Sequence, residues 1–303
     1  MNVIADLVPG FAEHRIPTEG AEMSVRTGGS GPPLLLPHGY PQTHVRWHKI
    51  AAELAGCVTL VLADLRGASS APPGDAEHKT YSKRAMAADC LAVMRALGHQ
   101  RFMMGGHDRG GRVAHRLAAD HPDAIWALIA IDILPTAEVW RRIMPERALS
   151  GYHWAFLAQP FPLPETLIGR EPTYYLEHTL QSWASPGGLS PCSAEALAHY
   201  RALLEEPARV HAVCEDYRAG AGIDRRLDEA DLAAGRKIAC PTFVLWGSEY
   251  LGHGGANPLD VWRTWCTDVT GAAVKAGHFL AEENPQAKLA ALGAFLKARA
   301  GNS

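Results

Sequence analysis

Gly106-His107-Asp108-Arg109-Gly110 carries the strongest sign of fold in this chain. The apolar run Phe102-Met103-Met104 leads into it, and the helix-like run Arg112-Val113-Ala114-His115-Arg116-Leu117-Ala118-Ala119 leads out. This is the strand, turn and helix setting of a nucleophile elbow of the form G-x-S-x-G, with aspartate in the place of serine. Flanking glycines permit a strained, tight turn that lifts the middle side chain clear of the sheet. A carboxylate there suits displacement at an sp³ carbon, leaving an alkyl-enzyme ester for water to hydrolyse. A G-x-D-x-G in isolation fits a glycine-flanked surface turn equally well. The strand before it and the helix after it select the elbow.

On either side of it, other short apolar runs alternate with helical patterns, the signature of a mostly parallel sheet covered on both faces. Pro33 to Leu36 reads as a strand running into His38-Gly39-Tyr40-Pro41. Further strands are expected at Val58 to Ala63, Arg101 to Met104, Ala127 to Ile131, Thr242 to Trp246 and Ala272 to Val274. Helices fit Trp47 to Leu54, Ser82 to Leu97, Arg112 to Asp120 and Gln286 to Ala298. Residues 137–237 break the alternation with Trp, Tyr and His and little strand signal. A stretch so long is read as a helical cap (lid) domain inserted into a core domain made of 1–136 and 238–303. Ligands in open α/β sheets sit beyond the carboxyl ends of the strands, so the cap closes over Asp108.

The 303 residues suffice for one large core or two modest ones. With 20% charged residues and a net charge of −3, the balance gives no reason to expect nucleic acid or an anionic membrane as partner. Met1-Asn2-Val3-Ile4-Ala5-Asp6 lacks a basic stretch followed by a long apolar one, so no signal peptide is expected. No apolar run approaches the roughly 18 residues needed to span a bilayer. Six scattered cysteines without C-x-x-C spacing read as reduced thiols of a cytoplasmic protein, not as a disulfide framework or a zinc site. Neither metal nor cofactor is expected.

Along nearly its whole length the chain resembles the fluoroacetate (haloacetate) dehalogenases of the α/β-hydrolase superfamily. The resemblance rests on motifs in family order: His38-Gly39-Tyr40-Pro41-Gln42, Asp64-Leu65-Arg66-Gly67, Gly106 to Arg112, Asp132-Ile133-Leu134-Pro135, Tyr152-His153-Trp154, Cys214-Glu215-Asp216-Tyr217-Arg218 and Gly277-His278-Phe279-Leu280. One departure is Gly67-Ala68-Ser69-Ser70, where relatives carry a bulkier turn. The resemblance implies an α/β-hydrolase fold, a homodimer, and a small haloacid as substrate.

It also assigns roles. Asp108 is the nucleophile, and His278 is the base that activates water against the ester. Asp132, at the end of Ile129-Ala130-Ile131, fixes the histidine tautomer. Its rival is Glu249, near where many α/β-hydrolases hold their acid. Arg109 and Arg112, three residues apart at a helix start, share a face beside Asp108 and suit a carboxylate clamp. An anionic nucleophile approaching an anionic substrate at about 4–5 Å meets about 3–4 kcal/mol of repulsion at an effective dielectric of about 20, which two cations offset. The backbone N–H groups of Tyr40 and Arg109 are the expected oxyanion hole. His153, Trp154 and Tyr217 supply three N–H or O–H donors for the halide. His38 and His107 are read as shaping the loop and the elbow.

Three functions compete. The first is a hydrolytic dehalogenase of short 2-haloacids. The second is an epoxide hydrolase, which uses the same Asp–His–acid set plus two lid tyrosines. Tyr152, Tyr174, Tyr175, Tyr200 and Tyr217 leave that open, but neutral epoxides give the arginines nothing to clamp. Haloalkane dehalogenases place tryptophan after the nucleophile, where this chain has Arg109. The third, a non-catalytic ligand receptor, tolerates loss of the base or acid, yet every catalytic position is filled.

Overall fold

The structure, a computed structural model, describes residues 5–254 and 257–299. Met1 to Ile4, read for a signal peptide, and the outermost ends of the expected core domain lie outside the described residues. The strands are β1 (Ala12–Pro17), β2 (Glu22–Gly28), β3 (Pro33–Pro37), β4 (Thr59–Ala63), β5 (Phe102–His107), β6 (Ile125–Ile131), β7 (Thr242–Gly247) and β8 (Val269–Val274). They form one sheet in the order β1-β2-β4-β3-β5-β6-β7-β8. β2 pairs antiparallel with β1 and β4, and every pairing from β4 to β8 is parallel. This is the α/β-hydrolase architecture.

Strand periodicity divides the core. Leu35, Val61, Met104, Leu128 and Val244 pack on one face with helices Lys83–Ala96, Arg109–Asp120 and Pro258–Trp265. Their neighbours Leu34, Leu36, Met103, Ile129 and Leu245 pack on the other with His48–Ala55 and Pro285–Lys297. Burial on both faces explains why the central strands read as unbroken apolar runs. Each such side chain contributes about 1.5–3 kcal/mol relative to exposure. The antiparallel pair β1–β2 lies outside the expected strands, because in β1 only Ile16 is buried and the rest is polar or exposed. The helix Pro258–Trp265 is likewise additional to the expected ones.

Two boundaries differ for a physical reason. β5 runs on through two glycines to His107, and the next helix starts at Arg109 rather than Arg112. Glycine pairs depress both strand and helix propensity, so the sequence pattern fades there. Packing requires them: a Cβ on Gly106 would sit 2.4 Å from the Gly110 carbonyl, and one on Gly110 would sit 2.3 Å from the His38 carbonyl oxygen.

Between β6 and β7 the chain is helical, from Thr136–Arg141 to Arg225–Ala233. Leu157, Leu176, Leu180, Tyr200 and Tyr217 form its apolar centre, which continues into Tyr40 and Phe279 from the loops at the strand ends. Among the described residues no helix is long and apolar enough to cross a membrane.

Candidate active site

Asp108 is the one residue between β5 and the helix Arg109–Asp120, with φ 50° and ψ −119°. Such a conformation costs a non-glycine residue about 1–3 kcal/mol and persists where packing imposes it. Gly39 supplies the opposite wall, since a Cβ there would lie 2.4 Å from the Asp108 Cβ. The Tyr40 N–H donates to Asp108 Oδ1 at 2.9 Å, the contact expected of an oxyanion-hole donor. Burial alone would raise the Asp108 carboxyl, but the His278 ring and the Arg109 and Arg112 guanidiniums outweigh it and hold it below the usual range. The helix N-terminus behind it acts in the same sense.

His278 follows β8 in a loop fixed at three points. Its N–H donates to the Trp183 carbonyl at 2.9 Å, its carbonyl accepts from His107 Nε2 at 2.8 Å, and its Nδ1 donates to Asp132 Oδ2 at 2.5 Å. Asp132 follows Ile131 with φ 53°, and its Oδ1 accepts from the Gly247 N–H at 2.9 Å. With Nδ1 so engaged, the lone pair of Nε2 is directed outward. Nε2 is buried and has no partner among the described residues, 3.8 Å from Asp108 Oδ2. Glu249 lines the same cavity, but it is Asp132 that holds the histidine. His38 Nδ1 donates to the Gly39 carbonyl and its Nε2 accepts from the Leu65 N–H, so this ring braces the loop carrying Tyr40.

The two arginines differ in their surroundings. Arg109 is buried and places Nε and Nη2 on the two carboxylate oxygens of Asp216, each at 2.7 Å, with Nη2 also on the Asp216 carbonyl at 2.8 Å. Only its Nη1 is left unpartnered. Its guanidinium lies 4.2 Å over the Tyr217 ring and 5.2 Å from that of Trp154. Arg112 donates through Nη1 to the Leu134 carbonyl, leaves Nε unpartnered and lines the cavity beside Asp108. Its guanidinium lies 4.6 Å over the Trp154 ring, so both arginines meet the same indole. Burial lowers its pKa to about 10, so it remains a cation at neutral pH.

His153, Trp154 and Tyr217 are brought together by the helical insertion, with ring centroids 5.4 to 6.1 Å apart. His153 Nδ1 and the Tyr217 hydroxyl are buried without partners among the described residues. Burial lowers the His153 pKa to about 3, which keeps the ring neutral, and raises that of Tyr217, which keeps its hydroxyl a donor. His153 and Trp154 border a cavity of about 780 Å³, together with Asp108, Arg112 and His278. Tyr217 borders a separate void of about 40 Å³ with Arg109 and Asp216.

Three residues at the site carry no signal of their own in the sequence. Trp183 and Tyr250 line the cavity, their rings 5.4 Å and 4.6 Å from that of His278. Asp216 is visible in the sequence only as the neighbour of Tyr217. In the Gly67-Ala68-Ser69-Ser70 turn, Ser69 Oγ accepts from the Ser24 N–H and donates to the Glu22 carbonyl, tying the turn to β2. Among the described residues the donor atoms of His107, Asp132 and His278 lie within 4.8 Å of one another, close enough for a metal ion. The Asp132–His278 and His107–His278 hydrogen bonds already occupy one donor of each residue.

The family described as alpha/beta hydrolase fold matches residues 32–285. A soluble epoxide hydrolase from Corynebacterium sp. (strain C12) is 31% identical over 281 residues, covering 91% of this chain and 94% of its own. The solved structure of a point mutant from Pseudomonas aeruginosa, described as a candidate epoxide hydrolase with bound MFA, is 46% identical with a TM-score of 0.91, covering 97% of this chain and 98% of its own. A fluoroacetate dehalogenase from Burkholderia sp is 41% identical over 297 residues, covering 96% of each chain. Sharing that identity almost end to end, the chain belongs to the haloacetate dehalogenase family of the α/β-hydrolase superfamily.

Proposed function

We propose that this hydrolase acts on short 2-haloacids, most naturally fluoroacetate, converting haloacetate and water to glycolate and halide. The observation that carries the reading is a buried, ionised Asp108 sharing one cavity with the Arg112 cation. A carboxylate nucleophile calls for an sp³ electrophile, and a buried guanidinium beside it calls for an anionic group on that electrophile.

Asp108 attacks the halogen-bearing carbon in line with the carbon–halogen bond. A carbon–oxygen bond forms, the carbon–halogen bond breaks, and halide departs toward His153, Trp154 and Tyr217. His278 Nε2 then takes a proton from water, and the hydroxide adds to the Asp108 ester carbon. The Tyr40 N–H, already on Oδ1, and the Arg109 N–H stabilise the tetrahedral oxyanion. Collapse frees glycolate and restores the Asp108 carboxylate, while Asp132 supports the imidazolium in between. Residues 137–237 serve as the cap that keeps bulk water from the ester.

One observation favours a second reading. A cavity of about 780 Å³, with Tyr152 and Tyr250 on its wall, is roomy for a two-carbon acid and accommodates an epoxide. Halide release from fluoroacetate and chloroacetate, measured beside diol formation from styrene oxide, separates the two. Halide with stoichiometric glycolate supports the dehalogenase, and diol without halide makes the chain an epoxide hydrolase.

A further inference from the structure

Arg109, Asp216, Lys83 and Asp224 form a buried chain of charges behind the cavity. Asp216 accepts both forks of Arg109 on one side and the Lys83 ammonium on its Oδ1 on the other. Lys83 also lies 3.7 Å from Asp224 Oδ2, and its N–H donates to Asp224 Oδ1 at 2.8 Å. All four residues are at most 7% exposed. Removing a charge from such a set leaves the others uncompensated in a low dielectric, so the geometry is strongly enforced.

The arrangement does more than neutralise charge. The Arg109 grip includes the Asp216 backbone carbonyl, which is the peptide that leads directly to Tyr217. The Arg109 guanidinium in turn lies against the Tyr217 ring. Tyr217 thus has its backbone and its ring held by the same ion pair, while its hydroxyl is left without a partner.

We propose that Asp216, gripped by Lys83, is a positioning residue that fixes the Arg109 guanidinium and the Tyr217 hydroxyl together. This rests on the haloacid reading above, in which the Tyr217 hydroxyl receives the departing halide. Fluoride depends on that donor more than chloride does, because fluoride is the poorer leaving group. A displaced donor therefore changes halogen preference, which loss of fold stability alone leaves unmoved.

The test compares kcat/KM for fluoroacetate and chloroacetate in wild type, Asp216→Asn, Lys83→Met and Tyr217→Phe. Asp216→Asn should lower the fluoro-to-chloro ratio about tenfold or more, in the direction of Tyr217→Phe, since small displacements at a reacting centre carry penalties of that order. Lys83→Met, which keeps the Arg109–Asp216 pair, should move the same ratio by less. It also carries the test should Asp216→Asn not fold. An unchanged ratio in every folded variant of the pair, beside an active wild type, overturns the positioning role and leaves the haloacid reading intact. A wild type that releases neither halide overturns both.

Discussion

Nε2 of His278 stands 3.8 Å from Oδ2 of Asp108, beyond hydrogen-bonding distance, and has no other partner among the described residues. A serine nucleophile needs its histidine bonded to it, because the base must remove a proton before attack. An aspartate already held ionised needs no such contact. The histidine is left facing the space beside the carboxylate, where the proposed reaction needs a water to meet the ester.

That separation predicts two different lesions. Asp108→Ala should abolish turnover, whereas His278→Asn should permit the first step and stall at the ester. Mass spectrometry of the His278→Asn protein after exposure to chloroacetate should then show a carboxymethyl adduct on Asp108. A His278→Asn enzyme that turns over normally and carries no adduct rules out the two-step scheme.

Arg112 lines the cavity beside the nucleophile and stays cationic. Arg112→Leu should cost the haloacid about 1.5–3 kcal/mol of transition-state stabilisation, roughly ten- to a hundredfold in kcat/KM. The matching haloacetamide, which lacks the charge, should lose much less. Equal losses with the two substrates assign Arg112 to packing alone.

Among the described residues the Tyr217 hydroxyl and His153 Nδ1 have no hydrogen-bond partner, and the proposed reaction sends its halide toward them. Tyr217→Phe removes one O–H without changing the ring that stacks on Arg109. Defluorination should fall by about 10²–10³, as for loss of a donor to developing charge, while dechlorination falls far less. Parallel losses indicate that the ring only fills space.

Asp228 yields a prediction about stability. It lies buried against Arg116 and His115 and accepts the Ala137 N–H at 3.2 Å. Burial, with nearby Asp224 adding to it, raises its pKa to about 7 despite the Arg116 and Arg112 charges. The folded state therefore holds a proton that the unfolded chain releases, between the ordinary carboxylate range and about pH 7. Through that window stability falls as pH rises. Asp228→Asn should raise stability by about 2–4 kcal/mol at pH 8 and by little at pH 4. Denaturant unfolding at the two pH values checks it, and a gain that is equal at both contradicts the titration.

How much is legible follows the physics of each element. β3, β5 and β6 are readable because strands buried on both faces must be apolar throughout. β1 is not, because an edge strand with a solvated face carries polar residues and owes its place to pairing with β2. Asp108, His278 and Asp132 are readable because each sits at a strand end in a recognisable local motif. Trp183 and Tyr250 carry no such mark, since they reach the histidine ring from distant segments.

The elbow, the alternation of strands and helices, and the identity of the charged and donor groups around Asp108 are all written in the chain itself. These are local properties, set by residue type and spacing over a few positions. Tertiary packing selects Asp132 over Glu249 as the partner of His278, Asp216 as the partner of Arg109, and the Tyr217 ring as the surface under the Arg109 guanidinium. Those choices join residues about a hundred or more positions apart. A guanidinium bonds whichever carboxylate the packed core brings within reach, and no spacing in the chain encodes that distance.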